Sequence, residues 1–65
     1  MKLKINGQPR DIDAESVADA LAVEGLAEAR VATALNGNFV PASMRTTTLL
    51  SPGDALEVVA PMQGG

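Results

Sequence analysis

Cysteine, histidine, tryptophan and tyrosine are absent from this 65-residue chain, and phenylalanine occurs once, at Phe39. Without cysteine there is no disulfide framework, no thiolate metal site and no cysteine nucleophile. Basic charge is scarce as well: five Lys and Arg stand against eight Asp and Glu, for a net charge of −3. Neutralising phosphates calls for a basic face, and stacking on single strands calls for aromatic rings, so nucleic acid is not an expected partner. No apolar run approaches the roughly 20 residues of a membrane-spanning helix. Met1-Lys2-Leu3-Lys4 alternates charged and apolar residues where a secretory leader would start an apolar stretch, so neither signal peptide nor membrane partner is expected and the default location is cytoplasmic. The spacing and lysine of a phosphate-binding P-loop are also missing.

What remains is a 46% hydrophobic composition made almost wholly of Ala, Val, Leu and Ile. A chain this short forms one domain near the lower size limit for independent folding, burying about 60% of the surface its unfolded form exposes. Apolar packing must supply its stability.

Lys2-Leu3-Lys4-Ile5 alternates with period two, which places Leu3 and Ile5 on one strand face and both lysines on the other. Asn6-Gly7 follows, and both residues accept the positive φ of a type I′ hairpin turn. A return strand is expected from about Gln8 to Ile12, at a sheet edge because Pro9 donates no backbone hydrogen bond. Ser16 reads as a helix N-cap with Asp19 three residues on, and the helix should run to Ala22 or Val23 with Val17, Ala20 and Leu21 as its buried stripe. Gly25 offers a stop, and Leu26 to Arg30 reads equally as a short turn or a loop. Val31 to Leu35, apolar on both faces, is expected as a strand in the middle of a sheet. Asn36-Gly37 should reverse it into Asn38-Phe39-Val40. Ala42 to Thr47 shows no periodicity and reads as irregular, with Arg45 in solvent. Thr48-Leu49-Leu50 should return apolar residues to the core, and Ser51-Pro52-Gly53-Asp54 is turn chemistry. Ala55 to Val59 completes the pattern, with Leu56 and Val58 on one side and Glu57 and Val59 on the other. The order strand, strand, helix, strand, strand, strand implies an α+β fold with one helix across an open sheet.

Pro61-Met62-Gln63-Gly64-Gly65 follows that last strand. Two residues without a β-carbon tolerate almost any backbone conformation and leave the terminal carboxylate approachable from all sides. A Gly-Gly ending occurs by chance in about one chain in 200, so the context has to give it meaning. Fully extended, the six residues from Ala60 would reach roughly 20 Å beyond the sheet. An α-carboxylate ordinarily titrates at about 3.3–3.7, so Gly65 is ionised at neutral pH. It is then a poor electrophile and a usable nucleophile.

The joint order of these motifs resembles the ThiS family of sulfur carriers of thiamine biosynthesis, which have the ubiquitin-like β-grasp fold. The residues that carry the resemblance are Asn6-Gly7, Ser16-Val17-Ala18-Asp19-Ala20-Leu21, Val31-Ala32, Asn36-Gly37, Phe39-Val40-Pro41, Gly53-Asp54, Leu56-Glu57-Val58-Val59 and Gly64-Gly65. Ala20 departs from the larger aliphatic residue often found there, which points to a lightly packed helix face. The resemblance implies a mixed sheet of four to five strands with one main helix, a β-grasp domain over residues 1–59 and a flexible Gly-Gly tail over residues 60–65. It further implies a carrier and not an enzyme. An E1-like, ThiF-like adenylyltransferase using ATP and Mg would activate Gly65, and a persulfide would supply the sulfur that makes a thiocarboxylate. A ThiG-like thiazole synthase would accept that sulfur. No cofactor would be bound by this chain itself. The related carrier of molybdopterin synthesis, another sulfur pathway and a ubiquitin-like protein modifier are the alternatives.

Around Gly65, the residues Gly64, Gln63 and Met62 are the candidates for entering a partner's active site, although Met62 reads almost equally as plain exposed tail. Phe39 is either a core residue or a partner anchor. Val59 is either part of an apolar docking patch or a scattered surface valine. Asp11, Asp13 and Glu15 lack the loop geometry of a metal site and read as a solvated acidic approach to the helix.

Overall fold

The computed structural model describes residues 1–60, and the alternating amino-terminal segment forms the strand that the others assemble around. Strand β1 (Lys2–Ile5) buries Leu3 and Ile5 and exposes both lysines, as its period-two pattern requires. Asn6 and Gly7 take φ values of 52° and 80°, and β2 (Gln8–Asp11) returns antiparallel with all four residues exposed. β2 is an edge strand, where the missing amide hydrogen of Pro9 is tolerated.

Helix α1 (Val17–Val23) begins where the capping residues predict. The Ser16 hydroxyl accepts from the Asp19 amide, while the Asp19 carboxylate accepts from the amide of Glu15, one residue outside the cap. The cap thereby satisfies one of the unpaired amides at the helix start, and Thr48 O and Arg45 O take those of Val17 and Ala18. At the far end Gly25 takes a φ of 77°, its amide bonding Ala22 O and that of Leu26 bonding Leu21 O, the paired contacts of a Schellman stop. Val17 and Ala20 are 0% exposed. The small side chain of Ala20 is thus fully covered, so the expected light packing of the helix face is not seen at that position. Residues 26–30 form a loop containing one turn, closed from the Ala29 amide to Leu26 O.

β3 (Ala32–Leu35) and β4 (Asn38–Val40) pair antiparallel through the second Asn-Gly turn, and β5 (Ala55–Val59) closes the sheet. The strand order is β2-β1-β5-β3-β4, with β1 and β5 parallel and every other pairing antiparallel. This is the β-grasp arrangement. The central position belongs to β5, not to β3, although β3 is interior and its pale two-sided pattern is satisfied by β5 and β4 on its flanks. The core lies between α1 and one sheet face: Leu3, Ile5, Ile12, Ala14, Val17, Ala20, Val40, Leu50 and Leu56.

Three expectations for the segment between β4 and β5 need correction. Ala42–Met44 is a 3-10 helix instead of irregular chain, and it sets the backbone of Arg45 against α1, where Arg45 O accepts from the Ala18 amide. Arg45 is consequently half-buried: its Nε donates to Thr33 Oγ1 at 3.1 Å and its Nη2 to Val31 O. A sequence window has no means of showing that partners 12 and 14 residues away await the guanidinium. Of the pair Leu49-Leu50, only Leu50 enters the core, whereas Leu49 is 69% exposed. An isolated antiparallel bridge between Leu49 and Ser16 extends the backbone here, and alternation then forces adjacent leucines to opposite sides.

Candidate functional site

The two features singled out in the sequence, an apolar surface and a chain end following the last strand, meet at β5. The register places Phe39 opposite Ala34, Ala34 opposite Glu57, and Ala32 opposite Val59. Directly opposed residues point to the same side of a sheet, so these side chains share the face turned away from α1. Phe39 is 70% exposed and Val59 62%. The core alternative for Phe39 therefore fails, because Val40 is the β4 residue that turns inward. Lys2 and Lys4 of β1 face the same outward side, with Lys4 opposite Ala55. The surface grades from lysines over β1 to apolar side chains over β3, β4 and the end of β5, with Glu57 between them.

Where β5 ends, Arg30, Val31, Ala32, Val59 and Ala60 line a shallow, mostly apolar groove. The chain passes from this point to the expected tail. Pro61 and the candidates Met62, Gln63, Gly64 and Gly65 lie outside the described residues.

Asparagine side chains hold β5 at both ends, a role that sequence reasoning missed. Asn36 Oδ1 accepts from the Ala55 amide at 2.8 Å, while its Nδ2 donates to Asp54 Oδ1 at 3.1 Å. Asn6 Oδ1 accepts from the Val58 amide at 2.8 Å and its Nδ2 donates to Val58 O at 3.0 Å. The sequence shows both residues only as turn formers. The available signal was the choice of Asn over Gly, since Gly serves a type I′ turn equally well but carries no amide group.

Thr33, buried to 1% exposure, donates its hydroxyl to Val40 O at 2.8 Å and accepts from Arg45. No buried side-chain polar atom among the described residues lacks a partner. Asp11, Asp13 and Glu15 are exposed. Among the described residues no group of three or more His, Cys, Asp or Glu is placed to hold a metal, and no helix is long and apolar enough to cross a membrane.

A family model described as the ThiS family matches residues 3–65. The chain belongs to the ThiS family. Its fold is that of a thiamine biosynthesis protein (ThiS) from Geobacter metallireducens, whose crystal structure superposes with a TM-score of 0.83 at 36% identity over all of both chains. The solution structure of a thiamine biosynthesis protein from Geobacter metallireducens agrees with a TM-score of 0.78, again at 36% identity, over all of this chain and 88% of that one. A thiazole synthase from Paramagnetospirillum magneticum is 39% identical over 66 residues, and the whole of this chain spans only 20% of that relative. ThiS is a family of small carrier proteins, and membership together with these relatives supports a sulfur-carrier role in thiamine biosynthesis.

Proposed function

We propose that this ThiS-family protein carries sulfur for thiazole formation as an acyl group on its own Gly65, with residues 1–59 as the body and 60–65 as the tail. The observation that carries this reading is the family match, which runs to residue 65 and so includes both terminal glycines. The chemistry starts from the ionised carboxylate. One of its oxygens attacks the α-phosphorus of ATP held by an E1-like, ThiF-like adenylyltransferase, and pyrophosphate leaves. The ATP and Mg belong to that enzyme. The resulting acyl adenylate is an electrophile, and the terminal sulfur of a persulfide displaces AMP from it. A thiol then cleaves the S–S bond, leaving a thiocarboxylate on Gly65 and a disulfide on the donor. A ThiG-like thiazole synthase takes the sulfur.

In this reading Gly64, Gln63 and Met62 pass through the partner's channel, and Phe39 and Val59 dock the body. The thiazole synthase relative favours thiazole over molybdopterin as the destination, because a segment similar to this chain forms part of that polypeptide. Incubation with the adenylyltransferase, ATP and a persulfide donor should raise the intact mass by one oxygen-to-sulfur exchange. Deleting Gly65 should abolish the shift and leave the melting temperature nearly unchanged, because terminal residues make few packing contacts. Absence of the shift with an adenylyltransferase active on another carrier would refute the proposal.

A further inference from the structure

Strand β1 stops short of the end of β5. Their parallel pairing covers Lys4 with Ala55 and Ile5 with Leu56, and the rungs run from the Lys4 amide to Asp54 O and from the Asn6 amide to Leu56 O. In a parallel ladder the next rungs would join Val58 to the carbonyl of residue 6 and the amide of residue 8. The chain has already turned away at Asn6-Gly7, where Gln8 begins β2. The Asn6 carboxamide fills the place: its oxygen takes the Val58 amide hydrogen and its nitrogen donates to Val58 O. A side-chain amide has the donor and acceptor of a peptide group, so it prolongs the ladder by one residue's worth of hydrogen bonds. On the other flank β3 pairs with β5 as far as Val59.

We propose that Asn6 is a positioning residue, whose carboxamide fixes the point at which the chain leaves the sheet and so aims the reacting terminus into a partner's active site. The proposal rests on the reading above that Gly65 carries the reacting carboxylate. With Asn6 in place, its carboxamide holds the amide and carbonyl of Val58 on one flank of β5 while β3 pairs along the other as far as Val59. Without it, the last residues of β5 are held by β3 alone and fray from it more readily. A partner must then order them at each encounter, and ordering the backbone of one residue costs a factor of about 5–30. The loss falls on placement of the carboxylate. Phe39 and Val59 on the outward face are left unchanged, because the Asn6 carboxamide bonds only the backbone of Val58.

Asn36 supplies the internal control. It occupies the same position of the same kind of turn and bonds the start of β5, at Ala55, far along the strand from its exit. Asn6→Gly and Asn36→Gly both keep a residue suited to positive φ and both remove a pair of side-chain hydrogen bonds. Two measurements on the full-length variants test the role. In amide hydrogen exchange, Val58 should exchange about tenfold faster in Asn6→Gly and unchanged in Asn36→Gly, with Leu3 and Leu56 as core references, by the loss of its acceptor. In carrier-dependent ATP–pyrophosphate exchange with the adenylyltransferase, Asn6→Gly should lower kcat about tenfold with KM within twofold, whereas Asn36→Gly should leave both within twofold. Equal losses in the two variants, tracking their melting temperatures, would show that Asn6 only stabilises the body and would overturn the proposal. Unchanged kcat in Asn6→Gly despite faster exchange at Val58 would overturn it too. Failure of the wild-type chain to support any pyrophosphate exchange would instead sink the sulfur-carrier reading, and the role of Asn6 with it, while the Val58 arm still reports on the clamp.

Discussion

The two faces of the five-stranded sheet differ sharply in burial and in residue type, valine alone being common to both. Toward α1, Leu3, Ile5, Thr33, Val40 and Leu56 are all buried. Away from it, Phe39 and Val59 are more than half exposed beside Ala34, Glu57 and the β1 lysines. A body with a single phenylalanine would be expected to bury that ring, because an aromatic side chain offers 150–250 Å² of area. The chain instead builds its core from aliphatic side chains and leaves the ring in water. Stability thus rests on the inward face, and under the proposed docking role of Phe39 and Val59 substitutions on one face should not mimic those on the other.

The sharpest way to break that division is Leu56→Ala. Leu56 is 1% exposed on the middle strand of the sheet. Its truncation should cost about 2–5 kcal/mol, which for a domain of this size lowers the melting temperature by at least roughly 10 °C. A loss below 1 kcal/mol in chemical denaturation would mean that the inward face is not the core. Next in size is Thr33→Val, which preserves shape while removing the donor to Val40 O and the acceptor for Arg45 Nε. Leaving those groups unpaired should cost about 1–3 kcal/mol, read as a shift in denaturation midpoint. A neutral result would show that water or another group replaces the hydroxyl.

The smallest stability effects belong to the outward face. Phe39→Ser and Val59→Ser should each stay within about 0.5 kcal/mol of wild type, as surface substitutions ordinarily do. If the face docks a partner, the same changes should raise KM in carrier-dependent pyrophosphate exchange by about 5–30-fold, since a truncated interface anchor typically costs more than 1 kcal/mol. The outcome that separates the faces is a raised KM at unchanged stability. A stability loss as large as that of Leu56→Ala would erase the distinction.

Local chemistry was readable without a structure wherever neighbours in the chain decide it. The alternation of β1, the two type I′ turns, the Ser16 cap and the Gly25 stop depend on residues within a few positions, and each stands where the pattern placed it. Together with the Gly-Gly ending they were enough to point to the ThiS family. Side-chain partners across the fold were not readable. Arg45 looked like a solvated cation until the 3-10 helix brought it to Val31 and Thr33, and Leu49 looked like core until its pairing with Ser16 turned it outward.

By itself, then, the amino-acid order determined the order of the strands and the main helix, the α+β class and the family, because periodicity, turns and caps are short-range properties of a chain. Tertiary structure alone decided that β5 is central, that Phe39 and Val59 share one outward surface, and that Asn6 reaches Val58, 52 positions further along the chain. Those outcomes depend on which strands lie side by side. That is settled by burying one face of the whole sheet at once, a condition no local window contains.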